Sequence, residues 1–261
     1  MTNVAERADD RPAAAAAGHD DAIVFERVTF SYGGAGAVLD GVDLRVPRGV
    51  LFALIGPNGA GKSTSLNLIT TLLSPGGGHV RVCGHDTVAA PAAVRRVLGY
   101  APEESLLFSG LTAREFVTLS ATLHGVGAEA AAAATTRLIG DFGLGERADD
   151  MLASFSKGMR RKAVLAAALV HDPELLVLDE PMEGLDVVAQ QTLKELLRQR
   201  VARGRSVLYS THIIEIVESL CSHVAVLRQG RVLAAGPIGE ARAALGVARL
   251  EDVFHAPAAG A

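Results

Sequence analysis

The stretch Gly56-Pro57-Asn58-Gly59-Ala60-Gly61-Lys62-Ser63-Thr64 restricts this chain more than any other. It follows an apolar run, Val50 to Ile55, and precedes a segment from Ser63 to Leu72 that reads as a helix. Strand, glycine-rich turn and helix is the context in which G-x-x-x-x-G-K-[ST] forms a phosphate-binding loop. Backbone N–H groups of such a turn point inward. Gly56, Gly59 and Gly61 let the chain approach a polyphosphate with no Cβ in the way. The positive end of the following helix adds to the attraction. Lys62 would reach the β- and γ-phosphates, and the Ser63 hydroxyl would ligate Mg²⁺. A glycine turn with a surface lysine is the simpler alternative, but it gives no reason for a complete motif in this setting.

The remaining pattern is that of an α/β chain. Met1 to Asp20 has no periodicity and reads as a disordered tail. Ile23 to Phe30 and Val38 to Val46 alternate as strands, and Pro47-Arg48-Gly49 turns into the strand before the loop. After the loop helix, Ser74 to Gly78 reads as a break, His79 to Cys83 as a short strand, Ala92 to Leu98 as a weak helix and Gly99 to Ala101 as a strand. Pro102 to Ser105 is a polar loop. The next fifty or so residues carry only helical pattern. Thr112 with Glu115 three residues on makes a capping box, opening a helix to Gly125. Ala128 to Phe142 is a second helix, and Ser156 caps a third that Pro173 ends. This block looks like a helical insertion. Leu175 to Leu178 is apolar on both parities, as in a strand buried on both faces. A helix to about Ala202, a strand Ser206 to Ser210, another helix and two short strands, Val224 to Leu227 and Arg231 to Ala234, complete the alternation. Alternating strands and helices predict a mainly parallel sheet with covered faces.

Four further sites carry chemistry. Leu175 to Leu178 ends in Asp179-Glu180-Pro181. A carboxylate at a strand end beside the phosphate loop can hold Mg²⁺, which assigns Asp179, and Glu180 can accept a proton from an attacking water. Two surface acids after a strand is the plainer alternative. His212 follows the strand Ser206 to Ser210, where an imidazole can reach a γ-phosphate, although a lone histidine is more often structural. Tyr32, at a strand end, is equally a stacking platform for an adenine or a half-buried edge tyrosine. Ser156-Lys157-Gly158 at a helix start is a second anion site of hydroxyl, N–H groups and dipole. One chain has no use for it, because Lys62 and its loop already hold the phosphates; it makes sense facing a nucleotide held by another copy.

Composition narrows the partners. The 261 residues are 49% hydrophobic, enough for a substantial core, and the net charge of −4 argues against a nucleic-acid binder. Cys83 and Cys221 are far apart and in no metal-type spacing, and they read as buried thiols in a reducing compartment. No apolar run approaches the roughly 18 to 20 residues of a membrane span, and no secretory leader is evident. A cytoplasmic chain is expected, with any spans supplied by another polypeptide.

Taken in order, Gly56 to Thr64, Phe155-Ser156-Lys157-Gly158-Met159, Leu175 to Pro181, Gly184-Leu185-Asp186 and His212 resemble the motif set of ABC transporter ATP-binding subunits, over roughly Ile23 to Pro237. The resemblance implies a P-loop NTPase of ABC type: a mainly parallel sheet, an N-terminal antiparallel β subdomain and an inserted α-helical subdomain at about 105–170. It implies an ATPase domain over 22–245, between tails at 1–21 and 246–261. It implies ATP and Mg²⁺ as cofactors and a head-to-tail dimer, of identical or different ATPase subunits, with two ATPs at the interface. The nucleotide would touch Tyr32, the loop Gly56, Pro57, Asn58, Gly59, Ala60, Gly61, Lys62, Ser63 and Thr64, and the other chain's Ser156 and Gly158. Lys62, Glu180 and His212 would be catalytic, and Ser63, Glu103 and Asp179 would hold Mg²⁺. A separate membrane permease would dock on the helical block and keep the subunit at the inner face of the membrane. Two departures stand out. Glu103 replaces the usual Gln, so it can ligate Mg²⁺ but cannot donate a hydrogen bond. Lys157 and Met159 replace Gly and Gln of the usual signature. Both resemble the branch serving export-type permeases, including drug- and antibiotic-export pumps. A non-transport ATPase of the same type, or a nucleotide-gated subunit with little hydrolysis, is the alternative.

Overall fold

The computed structural model describes residues 21–34, 36–103 and 109–255; the tail read at 1–20 and the end of the one read at 246–261 lie outside them. Two sheets organise the described chain. β1 (Asp21–Phe30) and β2 (Leu39–Pro47) pair antiparallel, and β4 (Gly77–Val82) pairs antiparallel with the other edge of β1. A two-residue strand, β5 (His85–Asp86), completes a four-stranded sheet of order β2-β1-β4-β5. The second sheet contains β3 (Leu51–Ile55), β6 (Leu98–Ala101), β7 (Leu175–Asp179), β8 (Ser206–Ser210), β9 (His223–Arg228) and β10 (Arg231–Pro237). Its order is β10-β9-β3-β8-β7-β6, parallel except for β10. The mainly parallel sheet and the N-terminal antiparallel sheet are thus both present.

The parallel sheet divides two apolar cores. Along β3, Phe52 and Leu54 face the antiparallel sheet and helix α1 (Lys62–Ile69), while Leu51, Ala53 and Ile55 face the opposite helices. Along β7, Leu175 and Val177 join the first core, Leu176 and Leu178 the second. All five β7 residues are buried, which is why the strand carries apolar residues on both parities. Cys83 and Cys221 are free buried thiols, and burial pushes them up to about 11 and about 12 respectively.

The helical block is α3 (Ala113–Leu123), α4 (Ala128–Asp141) and α5 (Lys157–Leu169), preceded in the chain by α2 (Pro91–Val97). The capping box forms: the Thr112 N–H donates to Glu115 Oε2 at 2.9 Å, and the Glu115 N–H donates to Thr112 Oγ1 at 3.1 Å. α6 (Val187–Ala202), α7 (Ile214–Leu220), α8 (Ile238–Leu245) and α9 (Asp252–His255) follow. Within the stretch read as a C-terminal tail, Leu250 and Val253 are buried in the second core, so packing continues past residue 245.

Three local expectations need correction. Gly77 and Gly78 belong to a strand rather than a break. A Cβ on Gly78 would lie 2.4 Å from the carbonyl oxygens of Glu26 and Arg27, so glycine here permits a bulged close approach to β1. α1 stops at Ile69 rather than Leu72, because Thr71 turns to φ 62. The last two strands run longer than read, to Arg228 and Pro237, as an antiparallel hairpin.

Candidate nucleotide site

β3 delivers the chain into the loop at Gly56, and α1 begins at Lys62 with Gly61 as its N-cap at φ 106. Two of the loop glycines also make room for the chain itself. A Cβ on Gly56 would sit 2.3 Å from the Leu227 carbonyl oxygen, and one on Gly61 2.7 Å from Leu39 Cδ2. These two seat the loop against the rest of the chain. Gly59 faces open space at φ 78. Pro57, Asn58 and Gly59 are exposed, Ala60 is buried, Ser63 is exposed at the helix start and Thr64 is buried behind it. Tyr32 is half exposed, sets its ring edge-on to Phe30 at 4.9 Å and places its hydroxyl 3.4 Å from Thr64 Oγ1. Lys62 Nζ donates to the carbonyls of Gly56 at 2.7 Å and Pro57 at 3.2 Å, folding over its own loop.

Parallel pairing of β3 with β8, and of β8 with β7, brings the end of β7 beside that loop. Burial lowers the pKa of Lys62, and the charges of Glu180, Asp179 and Glu103, all within electrostatic reach, oppose that. Burial raises the pKa of Asp179, with Glu103 and Glu180 adding to the rise and Lys62 opposing it. Glu180 is buried and holds φ 43, a backbone region that costs about 1–3 kcal/mol for a non-glycine residue and clusters at functional sites. Its N–H donates to the Ser210 carbonyl at 3.0 Å. Its carboxylate accepts from Thr211 Oγ1 at 2.8 Å, the His212 N–H at 2.9 Å and His212 Nδ1 at 2.7 Å. An Nδ1–H donated to Glu180 leaves Nε2 of the exposed His212 ring as its other polar atom.

Ser156 caps α5, its hydroxyl accepting from the Met159 N–H at 3.2 Å. Gly158 is glycine because a Cβ there would lie 2.5 Å from the Gly184 carbonyl oxygen. Lys157 pairs with Glu183 at 2.6 Å and Lys162 with Asp186 at 2.6 Å, tying the start of α5 to the turn after Glu180. Asp186 in turn caps α6, accepting from the Ala189 N–H at 2.8 Å. The residue that sequence reasoning passed over is Arg161. It is buried, and its guanidinium donates to the carbonyls of Pro102, Glu103 and Asp179. A basic run at a helix start gives no sign of such partners.

The donor set suits a hard divalent cation. Three carboxylates outnumber the two cations Lys62 and Arg161, burial opposes the ionised Asp179, and every candidate ligand is an oxygen. Among the described residues no group of three or more His, Cys, Asp or Glu is arranged to hold a metal ion. Mg²⁺ is commonly held by one or two carboxylates together with phosphate oxygens. No helix among the described residues is long and apolar enough to cross a membrane.

Comparison with known proteins agrees with this geometry. Residues 39–183 match the family described as ABC transporter. The chain is 40% identical over 215 residues to the daunorubicin/doxorubicin resistance ATP-binding protein DrrA of Streptomyces peucetius; the match takes in 82% of the chain and 65% of that protein. It is 37% identical to the Nod factor export ATP-binding protein I of Paraburkholderia xenovorans (strain LB400), over 82% of the chain and 70% of that protein. Among solved structures, one described as the ATP binding subunit of an ABC transporter superposes with a TM-score of 0.85 at 34% identity, covering 89% of the chain and 98% of that structure.

Proposed function

The chain belongs to the ABC transporter family, and from that premise we propose that it binds and hydrolyses ATP to energise export through a separate membrane permease. The observation that carries this reading is the strand, glycine loop and helix of Gly56–Thr64, with the end of β7 that bears Asp179 and Glu180 set beside it through β8. The export direction is supported by the names of the drug-resistance and Nod factor relatives. The exposed segment Pro57 to Gly59 and the start of α1 receive the phosphates. Lys62 exchanges the carbonyls of Gly56 and Pro57 for phosphate oxygens, which bear more charge. Tyr32 stacks on the base. Ser63, Asp179 and Glu103 hold Mg²⁺, which neutralises phosphate charge when bound. Glu180 accepts a proton from the attacking water as that oxygen bonds to the γ-phosphorus and the bond to the leaving ADP oxygen breaks. His212, joined to Glu180, orients that carboxylate and offers Nε2 toward the γ-phosphate. Ser156 and Gly158 complete the pocket of a second ATPase subunit. The subunit sits at the inner face of the membrane by way of its permease.

Two variants test the reading by separating binding from turnover. Lys62→Ala is expected to lose ATP binding and hydrolysis together. Glu180→Gln is expected to retain ATP binding, followed with a fluorescent analogue, while phosphate release falls about a hundredfold or more. Wild-type turnover in Glu180→Gln would remove that residue from the chemistry. The engagement of the Glu180 carboxylate by Thr211 and His212 favours a second reading, a nucleotide-gated subunit with slow hydrolysis. Turnover measured with the permease present distinguishes the two.

A further inference from the structure

We propose that Arg161 is a positioning residue for the site: its guanidinium joins the segment carrying Glu103 to the strand end carrying Asp179, and so fixes the spacing of the two carboxylates assigned to Mg²⁺. The inference rests on the ATPase reading above. Arg161 lies on α5 and is only 7% exposed. One guanidinium nitrogen donates to the carbonyls of Pro102 and, at 3.4 Å, Glu103; the other donates to the carbonyl of Asp179. A cation this deep is costly unless its N–H groups are satisfied. Two segments distant in sequence converge on its two terminal nitrogens, while the buried Nε has no partner among the described residues.

The fold does not need this link to hold its strands. β6 and β7 already pair from Leu98↔Leu175 to Ala101↔Leu178. What Arg161 bridges lies just past the last pair, where the ladder no longer sets the separation of the two chains. Pro102 has no N–H with which to extend the ladder. A planar guanidinium fork spans two acceptors at a fixed distance, which a lysine ammonium on a flexible stem does not. Because α5 packs on α3 and on β6, a tilt of the helical block against the sheet reaches both carboxylates through this one side chain.

The test uses the full chain with Mn²⁺ as the probe, its affinity read by electron paramagnetic resonance in the presence of a non-hydrolysable ATP analogue. Arg161→Gln is expected to weaken Mn²⁺ binding by about 10- to 100-fold, the range for residues that orient metal ligands. Arg161→Lys, which keeps a cation in the buried position and preserves folding, is expected to weaken it by less. Affinity for the analogue without divalent ion should match wild type in both. Wild-type Mn²⁺ affinity in the folded Arg161→Lys and Arg161→Gln chains would overturn the positioning role alone. A wild-type chain that binds no analogue would overturn the ATPase reading beneath it.

Discussion

Asp179 sits in the structure under a penalty that its proposed task explains. Burial raises its pKa, and Glu103 and Glu180 nearby raise it further, so the folded, nucleotide-free chain binds the proton more tightly than the unfolded chain does. A carboxyl whose folded pKa is raised costs stability as pH climbs through the unfolded value, because the unfolded state then holds fewer protons than the native one. Replacing it with the neutral isostere removes that cost. Asp179→Asn is therefore expected to raise the unfolding free energy of the nucleotide-free chain at pH 7. The gain should shrink as pH falls through about 4, where the carboxyl is protonated in both states. Urea unfolding at the two pH values measures this. A variant less stable than wild type at pH 7 would show that the attraction between Lys62 and the Asp179 carboxylate outweighs its desolvation. Glu180 and Lys62 show the same tension at one remove. The first holds a strained φ of 43 and the second is partly desolvated, so local stability yields to the chemistry at three adjacent positions.

At the scale of elements, the local signals are the ones that transfer from sequence to structure. The Thr112–Glu115 capping box is readable because both partners lie within one turn, and it fixes where α3 begins. Thr112→Ala removes the side-chain acceptor for the Glu115 N–H and is expected to cost about 1 kcal/mol, measured by equilibrium unfolding. A cost near zero would mean that solvent replaces the cap. The strands β3, β7 and β8 were legible for a similar reason: a strand covered on both faces carries apolar residues on both parities over its own few residues. What was illegible depends on distant partners. Gly77 and Gly78 look like a break until β1 is placed against them, when they become the residues that admit its carbonyls. Gly56 and Gly61 were readable as glycines of a phosphate loop, but the room they make for Leu227 and Leu39 was not. Arg161 could not be singled out from Arg160 and Lys162, because its acceptors are backbone carbonyls, which every residue possesses.

At the scale of the molecule, the two proposed anion sites stand on different elements. The Gly56–Thr64 loop stands on the parallel sheet. Ser156 stands on the helical block, where its hydroxyl caps α5 and the neighbouring Gly158 rests on the turn at Gly184. Lys157–Glu183 and Lys162–Asp186 tie that helix start to the turn after Glu180, so one chain's Ser156 is mechanically close to its own Glu180 turn. Beside it, Val187 and Val188 are 82% and 76% exposed, an apolar pair in the first turn of α6. A second copy arranged head to tail would bring Ser156 to the neighbour's phosphates and cover those valines. Each pocket would then report its occupancy to the other through the Glu180–Asp186 turn. The Glu180→Gln chain with ATP and Mg²⁺ is therefore expected to sediment at twice the monomer mass and to return to monomer when ATP is removed. Val187→Asp in that background should weaken the dimer, because a carboxylate placed in an apolar contact must be desolvated without a partner. Sedimentation as a monomer at saturating ATP, with the permease present, would sink the shared-pocket arrangement while leaving the Lys62 loop a nucleotide site.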